Sequence, residues 1–281
     1  MTPRRTKSWF CLGGLMLASA LPAAADPAAA RITFGEVRSA ALGRTLPVAV
    51  VAPAGIAGAA DQPVLYILHG RGRHHRSLLD SPAARAALLQ ARCHVVLPQG
   101  EDGWYIDSPA QPPARYGAYL AEVVAWAERT LPVGRTPARR GIAGWSMGGY
   151  GAVRAAQAEP GRFGFVASVI GLLDFPRSED LPAGQNYRVP TARFTADPAV
   201  WSAFNPLGAV EKLRGSALTL VLATRGFELT MNEHFLAALA AARPPLPARV
   251  HRLEGGHEFA LVESAVPLVL ADAAEFFALH P

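Results

Sequence analysis

From Val64 onward the chain alternates short, continuously apolar runs with longer segments in which apolar residues recur every three or four positions. A run such as Val64-Leu-Tyr-Ile-Leu68 lacks the every-other-residue polarity of a strand with one wet face. It therefore predicts a parallel strand covered on both sides. His94 to Leu97, Arg140 to Gly144, Gly164 to Leu173, Leu218 to Thr224 and Ala248 to Leu253 read as further strands. Between them, helical spacing covers Ser81 to Ala91, Tyr116 to Leu131, Met147 to Ala158 and Asn232 to Ala242, and a last helix falls within Glu258 to Leu279. Upstream, Ile32 to Val37 and Leu46 to Ala52 flank Gly43-Arg44 and predict an antiparallel lead-in. The alternation predicts an α/β fold with a mostly parallel central sheet and helices on both faces, in one domain over residues 26–281. At 281 residues and 51% hydrophobic, the chain is long enough to bury one large core.

The pattern fails in two places. Residues 1–25 combine a basic start, an apolar stretch from Trp9 to Leu21 and Ala23-Ala24-Ala25, the pattern of a cleaved signal peptide. This predicts export to the periplasm or the medium, cleavage near Ala25 and no stable membrane span afterwards. Arg4-Arg5 hints at twin-arginine export, but the residues that follow fit ordinary secretion better. Without Arg4, Arg5 and Lys7 the formal charge of +5 becomes +2, from 24 basic and 22 acidic residues. That balance makes no case for nucleic acid or an anionic membrane as partner. Removal of the leader also takes Cys11 and leaves Cys93, which precedes an apolar strand and reads as a small core residue rather than a nucleophile. The second interruption runs from Asp174 to Pro206, a polar stretch punctuated by Pro176, Pro182, Pro190, Pro198 and Pro206. A connection this long predicts a lid-like insertion over 174–206 beside the active site. The sequence leaves the oligomeric state open.

The chemistry gathers in loops that follow predicted strands. Gly144-Trp145-Ser146-Met147-Gly148 joins a strand to a helix. A G-x-S-x-G turn at that place holds the serine on a strained backbone and lifts its hydroxyl above the sheet, so Ser146 is the candidate nucleophile. Acyl transfer builds negative charge on the carbonyl oxygen, and backbone N–H groups must already point at it. One donor follows the nucleophile, here Met147; the other comes from the loop after an early strand, His69-Gly70-Arg71-Gly72, most simply Arg71. His257, in Gly255-Gly256-His257 between the last strand and the last helix, is the candidate base. Between Leu213 and Leu253 the carboxylates are Glu228 and Glu233. Glu228 lies in the loop directly after a strand and is the candidate acid that orients His257; Asp174 also follows a strand and is its rival. Trp104 and Tyr105, beyond a central strand, and Trp145, beside the serine, are candidate walls of a substrate pocket. Arg73, His74, His75 and Arg76 read as a solvated loop, because adjacent histidines project in different directions and no acid or third histidine is near; no metal site is called for.

Four stretches carry a family resemblance: Leu68-His-Gly-Arg-Gly72, Gly103-Trp-Tyr-Ile-Asp-Ser-Pro109, Gly144-Trp-Ser-Met-Gly-Gly-Tyr-Gly-Ala152 and Gly255-Gly-His257. Through them the chain, from about Val64 to Phe277, resembles the esterase D-like family of α/β hydrolases, whose relatives include feruloyl esterases, S-formylglutathione hydrolases and mycolyltransferases. The resemblance implies an α/β-hydrolase fold and cofactor-free hydrolysis of a small-molecule ester by a serine. It supports Ser146 and His257 at their matching motifs. It departs from the family where an aspartate is usual, because this chain has Thr224-Arg-Gly-Phe-Glu228. Two alternatives stay open: acyl transfer to a sugar or other alcohol, and a hydrolase homologue that binds a ligand without turning it over. S-formylglutathione hydrolysis fits the motifs but not the leader.

Overall fold

A single eight-stranded sheet runs through the protein. Its strands are β1 (Arg31–Ser39), β2 (Arg44–Ala52), β3 (Val64–Leu68), β4 (His94–Pro98), β5 (Arg140–Trp145), β6 (Phe165–Val169), β7 (Ala217–Ala223) and β8 (Ala248–Leu253). They lie in the order β1-β2-β4-β3-β5-β6-β7-β8. The β1–β2 and β2–β4 pairs are antiparallel and all the others parallel. Gly43, at φ 65°, closes the expected antiparallel lead-in, with Ser39 opposite Arg44. The computed structural model describes residues 1, 30–55 and 60–280. The expected leader, its cleavage site and Cys11 lie outside the described residues.

The apolar strands are buried on both faces, as their composition requires. On one face Val64, Tyr66 and Leu68 of β3 meet Leu120 and Val123 of α3 (Tyr116–Thr130) and Val153 of α4 (Met147–Ala158). On the other, Leu65 and Ile67 join Leu88 of α2 (Pro82–Leu89) and Val269 of α8 (Phe259–Leu279). Cys93 is buried in this second layer, and burial pushes its thiol up to about 12, so it is a packing residue and not a thiolate. Among the described residues no helix is long and apolar enough to cross a membrane.

Three boundaries differ from the expected ones. The helix expected over Ser81 to Ala91 is α2, and a single-turn helix that the sequence did not suggest, α1 (Ser77–Asp80), precedes it. Ser81 divides them, its hydroxyl accepting from the Ala84 N–H and Pro82 filling the first helical position. The strand expected over Gly164 to Leu173 ends at Val169, because Ile170 turns to φ 42°. The helix α7 (Leu229–Ala241) begins three residues before Asn232, which makes Glu228 its N-cap.

The proline-punctuated stretch 174–206 holds two single-turn helices, α5 (Thr191–Phe194) and α6 (Pro198–Trp201). Its buried Phe175, Leu181 and Phe194 anchor it to the main core. Both ends are tied to one carboxylate: Asp174 accepts from Asn205 Nδ2 at 2.8 Å, from His234 Nδ1 of α7 at 2.8 Å and from Arg177. The nucleophile-side helix α4 holds the far end as well, Tyr150 Oη donating to the Phe204 carbonyl and Gln157 Nε2 to that of Pro206, each at 2.8 Å.

Candidate active site

The loops that carry the chemistry leave the carboxyl ends of parallel strands β3, β5, β7 and β8, the side on which open α/β sheets receive ligands. Ser146 ends β5 and starts α4 with φ 54° and ψ −120°, a left-handed conformation that costs a non-glycine residue about 1–3 kcal/mol. Its N–H donates to the Val169 carbonyl of β6 at 2.9 Å, which helps to hold the turn. The turn also needs Gly148, where a Cβ would sit 2.0 Å from the Leu68 carbonyl oxygen. Glycine there lets α4 start hard against the end of β3.

Ser146 Oγ lies 2.8 Å from His257 Nε2, and His257 Nδ1 lies 2.8 Å from Glu228 Oε2. A carboxylate only accepts, so Nδ1 carries the hydrogen and Nε2 presents its lone pair to the serine hydroxyl. Glu228 is 0% exposed, and as N-cap of α7 it sits at the positive end of that helix. Its backbone is fixed by Asn232, whose N–H and Nδ2 both donate to the Glu228 carbonyl, while Nδ2 also reaches the Gly171 carbonyl at 2.8 Å. Phe227 packs on the imidazole with ring centroids 4.3 Å apart, and Tyr187 of the 174–206 insertion stacks on Phe227 at 5.4 Å. Asp174, the rival acid, is held by Asn205, His234 and Arg177 and makes no bond to His257.

The loop after β3 abuts the serine. A Cβ at Gly70 would lie 2.7 Å from Trp145 Nε1 and 3.3 Å from Ser146 Cβ, so glycine permits the approach. His69 sets the direction of this backbone. Its Nε2 accepts from the Gly100 N–H at 2.8 Å, which leaves Nδ1–H to donate to the Gly70 carbonyl, also at 2.8 Å. The same carbonyl accepts the Arg73 N–H at 3.1 Å. In a trans peptide the N–H points opposite to the carbonyl, so pinning the Gly70 oxygen pins the Arg71 N–H. Met147 opens α4, where the first N–H groups have no partner within the helix. Burial pushes the His69 imidazole down to about 4, which keeps it neutral in this role.

A cleft of about 180 Å³ opens over the serine, bordered by Gly70, Arg71, Trp145, Ser146, Ile170 and His257. Trp145, one of the three candidate wall residues, borders this cleft. Trp104 and Tyr105 do not: they are 1% and 2% exposed and border no part of this cleft. Both adopt left-handed backbone, at φ 54° and 55°, and turn inward. Trp104 packs on Phe175 at 4.9 Å and on Phe194 at 5.3 Å, aromatic partners that the insertion brings. Tyr105 braces the loop beneath the cleft, its hydroxyl accepting the His69 N–H at 3.0 Å. Sequence reasoning missed the bracing by His69 and the Tyr187–Phe227–His257 stack; a buried histidine ending a central strand was the available signal for the first.

Comparison with known proteins agrees with this architecture. A family model described as "Putative esterase" matches residues 39–217, well over half of the chain. The match includes the Gly70 loop and Ser146 and ends before Glu228 and His257. An esterase of Mycobacterium tuberculosis is 27% identical over 226 residues, covering 70% of this chain and 49% of its own length. The chain therefore spans about half the length of that curated relative. Among solved structures, a fluorophosphonate-binding serine hydrolase of Staphylococcus aureus superposes with a TM-score of 0.75 at 18% identity, over 87% of this chain and 98% of that one. An S-formylglutathione hydrolase from Agrobacterium tumefaciens superposes with a TM-score of 0.73 at 19% identity, over 89% and 96%. At such identities these two neighbours speak for the fold. With the sheet order, the elbow and the family match together, the chain belongs to the "Putative esterase" family, on an α/β-hydrolase fold.

Proposed function

We propose that the protein is a serine carboxylic-ester hydrolase that works through a Ser146–His257–Glu228 triad and an acyl-enzyme. The observation that carries this reading is the unbroken line of two 2.8 Å contacts from a buried carboxylate through an imidazole to a serine on a nucleophile elbow. Ser146 Oγ attacks the ester carbonyl while His257 Nε2 takes its proton, and Glu228 stabilises the imidazolium that forms. The N–H groups of Met147 and Arg71 receive the oxyanion. His257 then protonates the departing alcohol, water attacks the acyl-enzyme with His257 again as base, and the acid leaves. The 174–206 insertion acts as the cover of the site, with Tyr187 resting on Phe227 above the imidazole. The leader pattern in residues 1–25 supports export to the periplasm or the medium.

The test is a panel of p-nitrophenyl esters from acetate to palmitate, run beside labelling with a fluorophosphonate probe. Wild type should turn over esters and take the probe at Ser146. Ser146→Ala should abolish both and keep the melting profile; turnover retained by that variant would refute the mechanism.

A further inference from the structure

The charged side chains that border the Ser146 cleft are not equally engaged. Arg71 is occupied: its Nε and NH2 groups donate to the two Asp102 oxygens at 3.1 and 3.2 Å, and its NH1 to Tyr187 Oη at 3.1 Å. Glu258 is exposed, and its Oε1 turns back on its own loop toward the Gly256 N–H, at 3.4 Å. Arg73 borders the same cleft, and among the described residues its guanidinium makes no ion pair and no hydrogen bond. It is placed nonetheless. At one end its backbone N–H is tied to the Gly70 carbonyl, and at the other its guanidinium carbon lies 4.4 Å from the centre of the Phe259 ring. Phe259 opens α8, two residues after His257, and also borders the cleft, so the contact holds a cation in the same cleft as the imidazole. This contact uses none of the guanidinium N–H groups, and those groups match a carboxylate in two parallel hydrogen bonds.

We propose that Arg73 is a specificity-determining residue that receives a carboxylate on the substrate, so that the preferred substrates are esters bearing a carboxylate on their acyl or alcohol part. This rests on the hydrolase reading above. Because Arg73 is exposed, its pairing with a substrate anion is screened by salt, and the effect is at the upper end of that for surface pairs, about fivefold in kcat/KM.

The experiment compares matched esters that differ in one charge, with and without added salt, near neutral pH. Mono-p-nitrophenyl adipate against p-nitrophenyl hexanoate puts the anion on the acyl side; 4-acetoxybenzoate against its methyl ester puts it on the alcohol side. The quantity read is the ratio of kcat/KM for the anionic over the neutral member. In one of the two pairs this ratio should fall about fivefold in Arg73→Gln, through KM, and further in Arg73→Glu. In that pair, salt should lower the ratio in wild type and leave that of Arg73→Gln in place. The responding pair identifies the side of the ester that faces Arg73. Turnover of neutral esters with both ratios unmoved by either substitution would overturn the role of Arg73 alone. Absence of turnover on every ester in wild type would overturn the hydrolase reading and this inference with it.

Discussion

Glu228→Gln removes one charge and almost no volume from a position that is 0% exposed, so it isolates what the carboxylate does for His257. In the proposed attack on an ester the imidazole becomes an imidazolium, with Nδ1 held 2.8 Å from Glu228 Oε2. Taking the charge centres as about 4 Å apart and an effective dielectric of about 20, the carboxylate stabilises that cation by about 4 kcal/mol. Its loss alone lowers the rate about a thousandfold. The amide adds a second penalty whenever its NH2 faces the ring: Nδ1 must then accept, the hydrogen moves to Nε2, and the serine proton has nowhere to go. The expected loss in kcat/KM on a p-nitrophenyl ester is therefore about 10³–10⁴-fold, with the melting temperature little changed. Fluorophosphonate labelling of the same preparations counts the active sites, and Asp174→Asn provides the comparison. A loss below about tenfold in folded Glu228→Gln, or an equal loss in Asp174→Asn, would remove Glu228 from the triad.

Asp174→Ala should act on stability. Its carboxylate is buried and ties Asn205, Arg177 and His234 together at the base of the insertion; Arg177 and His234 are partly exposed and regain water when it goes. Urea unfolding should show a loss of about 2–3 kcal/mol, somewhat below the range for breaking a fully buried pair. His69 predicts an acid-sensitive fold. Its folded-state value is pushed down from an ordinary 6.5 to about 4, so the unfolded chain binds more protons in that interval and stability rises with pH across it. The contribution is complete above about 6.5, is lost as pH falls toward about 4, and reaches about 3 kcal/mol. Urea midpoints followed over that window should fall more steeply for wild type than for His69→Asn; equal slopes would refute it.

Residues whose surroundings are local could be read from the chain. The bounds of β3 and α4 agree with the apolar run and the helical spacing that predicted them, because each is set by its own burial pattern. Ser146 and His257 were legible for the same reason, since a strand, a glycine turn and a helix follow one another within a few residues. Trp104 and Tyr105 were not. An aromatic pair in a loop after a central strand can line a pocket or fill a core, and here the choice is made by Phe175 and Phe194, some seventy to ninety positions away in a stretch without a regular pattern.

Glu228 lies between these cases. The sequence offered few carboxylates near the end of β7, but it set α7 too late, at Asn232, and so left the acid in an open loop. In the structure the helix starts at Leu229, because Asn232 turns inward to bond the Gly171 carbonyl and draws the first turn onto the loop after β6. That turn fixes Glu228 as N-cap, several residues beyond the strand, where a longer side chain suits the reach back to His257. The distance of Glu228 from the end of β7 and the early start of α7 are thus one arrangement. A substitution that shortens the acid, Glu228→Asp, keeps its charge and its cap position but withdraws the oxygen that meets Nδ1.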